Sequence, residues 1–156
     1  MKKYTLYIVL GSLLSSTPVY ALTPEELATV FFDKLPTEPE SALDGLLASN
    51  PSIKADDNQV MSLKALLKNY PNIHGIYQFS ERICSYAIGE HIKRLTYIAG
   101  YEKSPMTFDF IFYNDGDEWQ LNSIDADTMD IRALLQISIV RNETTRETIS
   151  SSLMHE

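Results

Sequence analysis

The sequence predicts an α+β fold, with N-terminal helices packed on one face of a curved four-stranded antiparallel meander and a short helix closing the chain. Three observations lead there. Apolar residues recur at helical spacing as far as Ile73 and then alternate with other residues in a period of two. The strand-like stretches are joined by the tight turns Gly89-Glu90 and Asn114-Asp115-Gly116-Asp117, so neighbours run antiparallel. The chain has 156 residues, enough for one domain at roughly 100–200 residues per domain.

Ahead of the fold comes an address. Lys2 and Lys3 give a positive start, and Leu6 to Leu14 form an apolar run interrupted only by Gly11 and Ser12. Ser15, Ser16, Thr17 and Pro18 break the run, and Val19-Tyr20-Ala21 places small residues three and one before a cut. This pattern predicts a signal peptide over residues 1–21, cleavage after Ala21, and a periplasmic or secreted product. The alternative is a membrane anchor, but about ten apolar residues fall short of the about 20 that span a bilayer. No cysteine follows the cut, which excludes a lipoprotein, and no later stretch is apolar enough for a membrane span.

Loss of Lys2 and Lys3 leaves 11 basic against 21 acidic residues, a net charge of −10. That charge argues against nucleic acid, whose phosphates select clustered Lys and Arg, and against anionic lipid surfaces. The single cysteine, Cys84, forms no internal disulfide and no cysteine-rich zinc site. It is expected to be buried in its apolar run, leaving packing alone to hold the exported fold.

Thr23-Pro24-Glu25-Glu26 opens the first helix: a capping threonine, a first-turn proline, and glutamate three residues past the cap. Leu27, Val30, Phe31 and Leu35 follow at helical spacing until Pro36. Leu43, Leu46 and Leu47 mark a second helix, closed by Asn50-Pro51. Asp56 with Gln59 starts a third, whose stripe is Val60, Leu63, Leu66, Leu67 and Tyr70, stopped by Pro71-Asn72. Strands are then expected over 75–88 and 91–101. Phe108, Phe110 and Phe112 alternate with Thr107, Asp109, Ile111 and Tyr113, and Trp119, Leu121 and Ser123 with Gln120, Asn122 and Ile124. Asp127 is expected to cap a last helix carrying Met129, Ile131, Leu134, Leu135 and Ile137. Residues 22–140 thus form one α+β domain, and 141–156 a polar, disordered tail.

Within this order, Tyr97, Gly100-Tyr101, Pro105, Phe108, Phe110, Tyr113 and Trp119-Gln120-Leu121-Asn122-Ser123-Ile124 resemble small exported bacterial proteins of uncharacterised function. Helices followed by a long-stranded meander likewise resemble the cystatin-like roll of the nuclear transport factor two-like superfamily. That resemblance implies a conical cavity between helices and sheet. Enzymes, ligand carriers and interaction modules share the roll, so it implies no particular chemistry.

Strand parity nominates the candidate site. Tyr77, Phe79, Glu81 and Ile83 share one face, as do Leu95, Tyr97, Ala99 and Tyr101. If no bulge shifts that parity, Glu81 is the one acid on the apolar side, and desolvation fits it to act as a general base or acid. If a bulge near Ser80–Arg82 does shift it, Glu81 turns outward to pair with Arg82 or Arg94. Tyr77, Tyr97, Tyr101 and Trp119 offer ring area and polar tips to a ligand. The competing role for them is to fill a wide sheet as core. Asp109 lies on the opposite face beside Arg94, Gln120 and Asn122, where a cross-strand ion pair is expected.

His74, His91 and His155 have no second ligand at zinc spacing, so no metal is expected. Neither Asp125, Asp127 and Asp130 nor Asn114, Asp115 and Asp117 fit a twelve-residue calcium loop. Asn142-Glu143-Thr144 is a glycosylation acceptor that a bacterial exported chain leaves unused. There is no nucleophile elbow, phosphate loop or dinucleotide fingerprint, and no cofactor is expected. The function expected is therefore an exported, non-enzymatic binding or interaction domain for a protein or a small apolar ligand. The alternatives are a cavity enzyme of isomerase or hydrolase type, with Glu81 as base and Tyr97 or Tyr101 as donor, and a two-fold homodimer through the open sheet face.

Overall fold

The computed structural model describes residues 21–128. The signal segment, the expected last helix, the polar tail, His155 and the Asn142 acceptor lie outside the described residues. Within them, three helices precede four strands: α1 (Pro24–Lys34), α2 (Pro39–Leu47), α3 (Asn58–His74), β1 (Tyr77–Ile88), β2 (Ile92–Tyr101), β3 (Met106–Asn114) and β4 (Trp119–Asp127). The strands form one antiparallel sheet in the order β1-β2-β3-β4, the meander expected from the two turns.

α1 starts as its sequence dictates. Thr23 Oγ1 accepts from Glu26 N at 3.3 Å, and Glu26 Oε2 accepts from Thr23 N at 2.8 Å, satisfying two donors that a helix end leaves orphaned. Thr23 N and Thr23 Oγ1, each donating to Glu26 Oε2 at 2.8 Å, hold the Glu26 carboxyl below its ordinary range. Leu27, Ala28, Phe31, Phe32 and Leu35 face the core. Val30, expected in that stripe, is instead exposed, because the helix rotates to present the adjacent Phe31 and Phe32.

α3 departs from expectation at both ends. Its cap is Asp57, which accepts from Gln59 N at 2.8 Å, one residue later than Asp56. Pro71 does not stop the helix, which continues to His74. A proline inside a helix removes one backbone donor, yet the turn past Pro71 still closes on the Pro71 carbonyl. Termination falls to Gly75, whose φ of 85° is open to glycine and whose N–H bonds Pro71 O at 2.9 Å.

Helices and sheet share one core. Phe31 meets Phe108 and Phe110 edge-on at 5.4 and 5.6 Å, and Phe32 meets Phe108 at 5.3 Å and Tyr97 at 4.8 Å. Leu95, Ala99, Met106, Phe108, Phe110, Phe112 and Leu121 are fully buried beneath them. Each such large side chain contributes roughly 1.5–3 kcal/mol by leaving water.

The far face of the sheet has no described element over it. It reads in rows across the strands: Ile88, Ile92 and Tyr113; then Tyr86, Arg94 and Ile111; then Cys84, Thr96, Asp109 and Asp125. Cys84 is thus half-buried on this face rather than enclosed in the core. Asp109 accepts from Arg94 Nε at 2.8 Å and from Thr96 Oγ1 at 3.1 Å, the expected cross-strand pair. That bond raises the Arg94 pKa, so its charge is secure.

Candidate functional site

Glu81 is not inside. β1 pairs Tyr77 with Tyr101 but Phe79 with Gly100, and the residue inserted between them reverses the faces. Ser80 opposes Ala99 and Arg82 opposes Tyr97 on the core side, while Glu81 opposes Ile98 on the open side. A second shift between Arg82 and Cys84 sets Ile83 at the irregularity. Tyr77 alone of the expected β1 set keeps its inward place. The bulge lies two residues earlier than anticipated, and the expected partners are taken: Arg82 Nη1 reaches Glu25 on α1 at 3.3 Å, and Arg94 is held by Asp109. Glu81 is exposed, without a hydrogen bond or ion pair among the described residues.

The aromatic residues behave as packing. Tyr101 is buried edge-on against Tyr70 at 4.8 Å and Tyr77 at 5.7 Å, and burial pushes its phenol up to about 12. Tyr97 lies between Phe32 and Phe110; burial raises its pKa, with Arg82 pulling the other way. Trp119 is half-buried where β4 begins.

At the base of α3 a polar cluster ties helix to sheet. Tyr70 OH donates to Pro105 O at 2.9 Å and lies 3.1 Å from Ser104 Oγ, which is 2.7 Å from His74 Nδ1. The His74 ring stacks on Tyr70 at 4.0 Å. His74 therefore ends a helix rather than a strand, and every group in the cluster pins the β2–β3 turn. His91 is occupied likewise, with Nδ1 2.9 Å from Asn114 O.

The two flanks of the helix layer differ. Beside β1 it is closed, because Glu25 binds Lys93 at 2.6 Å as well as Arg82. Beside β4 it parts. A groove of about 1010 Å³ lies between α2, the 52–57 loop, the first half of α3 and β4. Leu43, Leu47, Val60, Leu63, Leu66, Ile124 and Ala126 make its apolar wall, and Ser52, Asn58, Gln59 and Asn122 its polar rim. Its charged groups are Lys54, Asp57 and Asp125.

β4 explains the opening. Ser49 Oγ accepts from Leu121 N at 3.0 Å and Asn50 Nδ2 donates to Leu121 O at 2.8 Å, so the end of α2 covers the strand edge there. Past Leu121 that cover stops. The β3–β4 register shifts between Ile111 and Phe112, with Ser123 and Leu121 as their respective partners. Asn122 is the extra residue, so Ser123 turns outward and Ile124 inward, reversing the expected parity. Ile124 and Ala126 consequently stand beside Phe110 and Phe108 as the sheet side of the groove.

None of Glu81, Tyr77, Tyr97, Tyr101 or Trp119 lines this groove. Sequence reasoning missed it because a loop and a bulge build it. The available signal was Ile124, an isoleucine on the polar parity of its strand. Among the described residues no group of three metal-ligating side chains converges, and no helix is long and apolar enough to cross a membrane.

No protein-family profile matches the chain, and no curated protein does. A solved structure from Thiobacillus denitrificans ATCC 25259, named "Putative calcium/calmodulin-dependent protein kinase type II association domain", is similar at 14% identity. The match covers 73% of this chain and 100% of that one with a TM-score of 0.44, which assigns no family.

Proposed function

We propose that this protein is an exported, non-enzymatic binding domain of roll type that takes an elongated apolar ligand in the groove between α2–α3 and β4. The observation that carries this is the asymmetry of the helix layer: latched to the sheet by Glu25 on one flank, open over Leu63, Leu66, Ile124 and Ala126 on the other. A concave, mostly apolar space with a few polar groups at its mouth is the usual form of a small-molecule site. Three helices followed by a four-stranded meander support the nuclear transport factor two-like reading. The binding surface moves from the tyrosines, which fill the core, to this groove. Export rests on the Lys2-Lys3 start, the apolar run and the Val19-Tyr20-Ala21 pattern.

A thermal-shift panel of fatty acids, aromatics and sterols on the mature chain tests the reading. A ligand at 100 times its Kd stabilises by about 2.7 kcal/mol, a shift of roughly 10 °C for a domain of this size. Leu63→Arg, at a half-buried wall position, should abolish that shift. No stabilisation by any compound, with no binding of an apolar dye, would refute the binding reading. Mass spectrometry of the exported chain should find Leu22 at the N-terminus.

A second reading has its own observation. Tyr86, Ile88, Ile92 and Tyr113 are exposed together at one end of the open sheet face. They fit two-fold self-association. Light scattering across a concentration series should show a dimer that Ile88→Asp dissociates.

A further inference from the structure

Resting on the groove reading, we infer that residues 129–140 of this same chain are the groove's resident occupant, and that an external ligand binds by displacing them. β4 delivers the chain to the site. Asp125 and Ala126 line the groove, and Thr128 is the last described residue, so the segment begins at the groove's mouth with no linker. Its sequence is Met129-Asp130-Ile131-Arg132-Ala133-Leu134-Leu135-Gln136-Ile137-Ser138-Ile139-Val140.

Composition, reach and charge agree. Seven of those twelve residues are Met, Ile, Leu or Val, in a chain whose net charge is strongly negative. Left in water they forfeit about 25 cal/mol for each Å² they fail to bury. The wall offers matching surface in Leu63, Leu66, Ile124 and Ala126. Twelve residues reach about 18 Å as a helix, at 1.5 Å each. The β4 stretch from Asn122 to Ala126 spans about 14 Å at 3.4 Å per step, so the segment is long enough to run back along it. Asp130 and Arg132 are its only charges, and the groove holds Lys54 for the one and Asp57 and Asp125 for the other. Lys54 has no ion-pair partner among the described residues.

Hydrogen exchange and titration with an environment-sensitive apolar dye, on the mature full chain and its Leu134→Asp/Leu135→Asp variant, test this. The variant should lose protection over residues 58–66 and 122–126 and bind the dye at least tenfold more tightly. A synthetic peptide of residues 129–140, added to the variant, should restore the protection and expel the dye. Leu63→Arg, made from the groove side, should release residues 129–140 to fast exchange, so the test survives a tail variant that fails to fold. Unchanged exchange with equal dye affinity in both chains would overturn the occupant and leave the ligand reading standing. Altered exchange with no dye binding in either chain would keep the occupant and sink the small-ligand reading. Protection that rises with protein concentration would place a second copy's segment in the groove and overturn the intramolecular form.

Discussion

β1 and β3 look alike as sequences, each carrying aromatic residues at alternate positions, yet only one obeys its alternation. In β3, Phe108, Phe110 and Phe112 all reach the core, and the β2–β3 register runs from Ile92 to Ala99 without a shift. In β1, the first of two shifts turns Phe79 and Glu81 outward and leaves Phe79 52% exposed. The remaining shift lies in the β3–β4 pair, with its extra residue on β4. All the irregularities thus fall on edge strands. A central strand is bonded on both sides, and an inserted residue would break two ladders. An edge strand breaks one, so its parity is the cheaper to change.

The largest contrast lies between the rings of these strands. Phe110→Ala should cost about 3–5 kcal/mol by denaturant titration, since it opens a cavity under Phe31 and Phe32. Phe79→Ala should cost under about 1 kcal/mol, because half the ring is already in water. Equal losses would show that β1 is packed as firmly as β3.

Next in size is an alkaline effect from β2. Tyr101 is raised to about 12 when folded, against an ordinary 10, so the unfolded chain releases this proton first. Stability is therefore intact below pH 10 and falls as pH rises from 10 to about 12, by about 2–3 kcal/mol. Tyr101→Phe should flatten that limb of the stability curve.

A smaller effect sharpens the β1–β2 seam. The Phe79 ring lies over Gly100, where a Cβ would collide with it. Gly100→Ala should cost about 1 kcal/mol, and much less when Phe79 is already Ala, a coupling read from the double-mutant cycle. The smallest effects belong to the bulge itself. Arg82→Gln should cost under about 1 kcal/mol, as its pair with Glu25 is partly solvated. Glu81→Gln should change neither stability, beyond about 0.5 kcal/mol, nor ligand binding. A large response at Glu81 would restore the cavity-enzyme alternative.

What was legible follows the range of each signal. The Thr23 capping box, the two turns, the Arg94–Asp109 pair and the buried β3 phenylalanines were all readable, because each depends on residues a few positions apart or on an unbroken alternation. Pro71 misled, since a proline ends a helix only when nothing past it completes the turn, and Gly75 does. For Glu81 alternation left two faces open, and one inserted residue, Gln78, decided for the outer one. The groove was not readable, because its wall joins Leu63 on α3 to Ile124 on β4, and no local rule relates them.

The sequence by itself determined the order of elements, the antiparallel meander and which strand carries the core, because periodicity and turn chemistry are properties of neighbouring residues. Only the tertiary structure decided which face each edge-strand side chain meets and where the helix layer lifts from the sheet. Those outcomes turn on hydrogen bonds and packing between distant segments, Ser49 and Asn50 with Leu121 on one flank and Glu25 with Arg82 and Lys93 on the other. A single residue inserted at an edge is enough to redirect them.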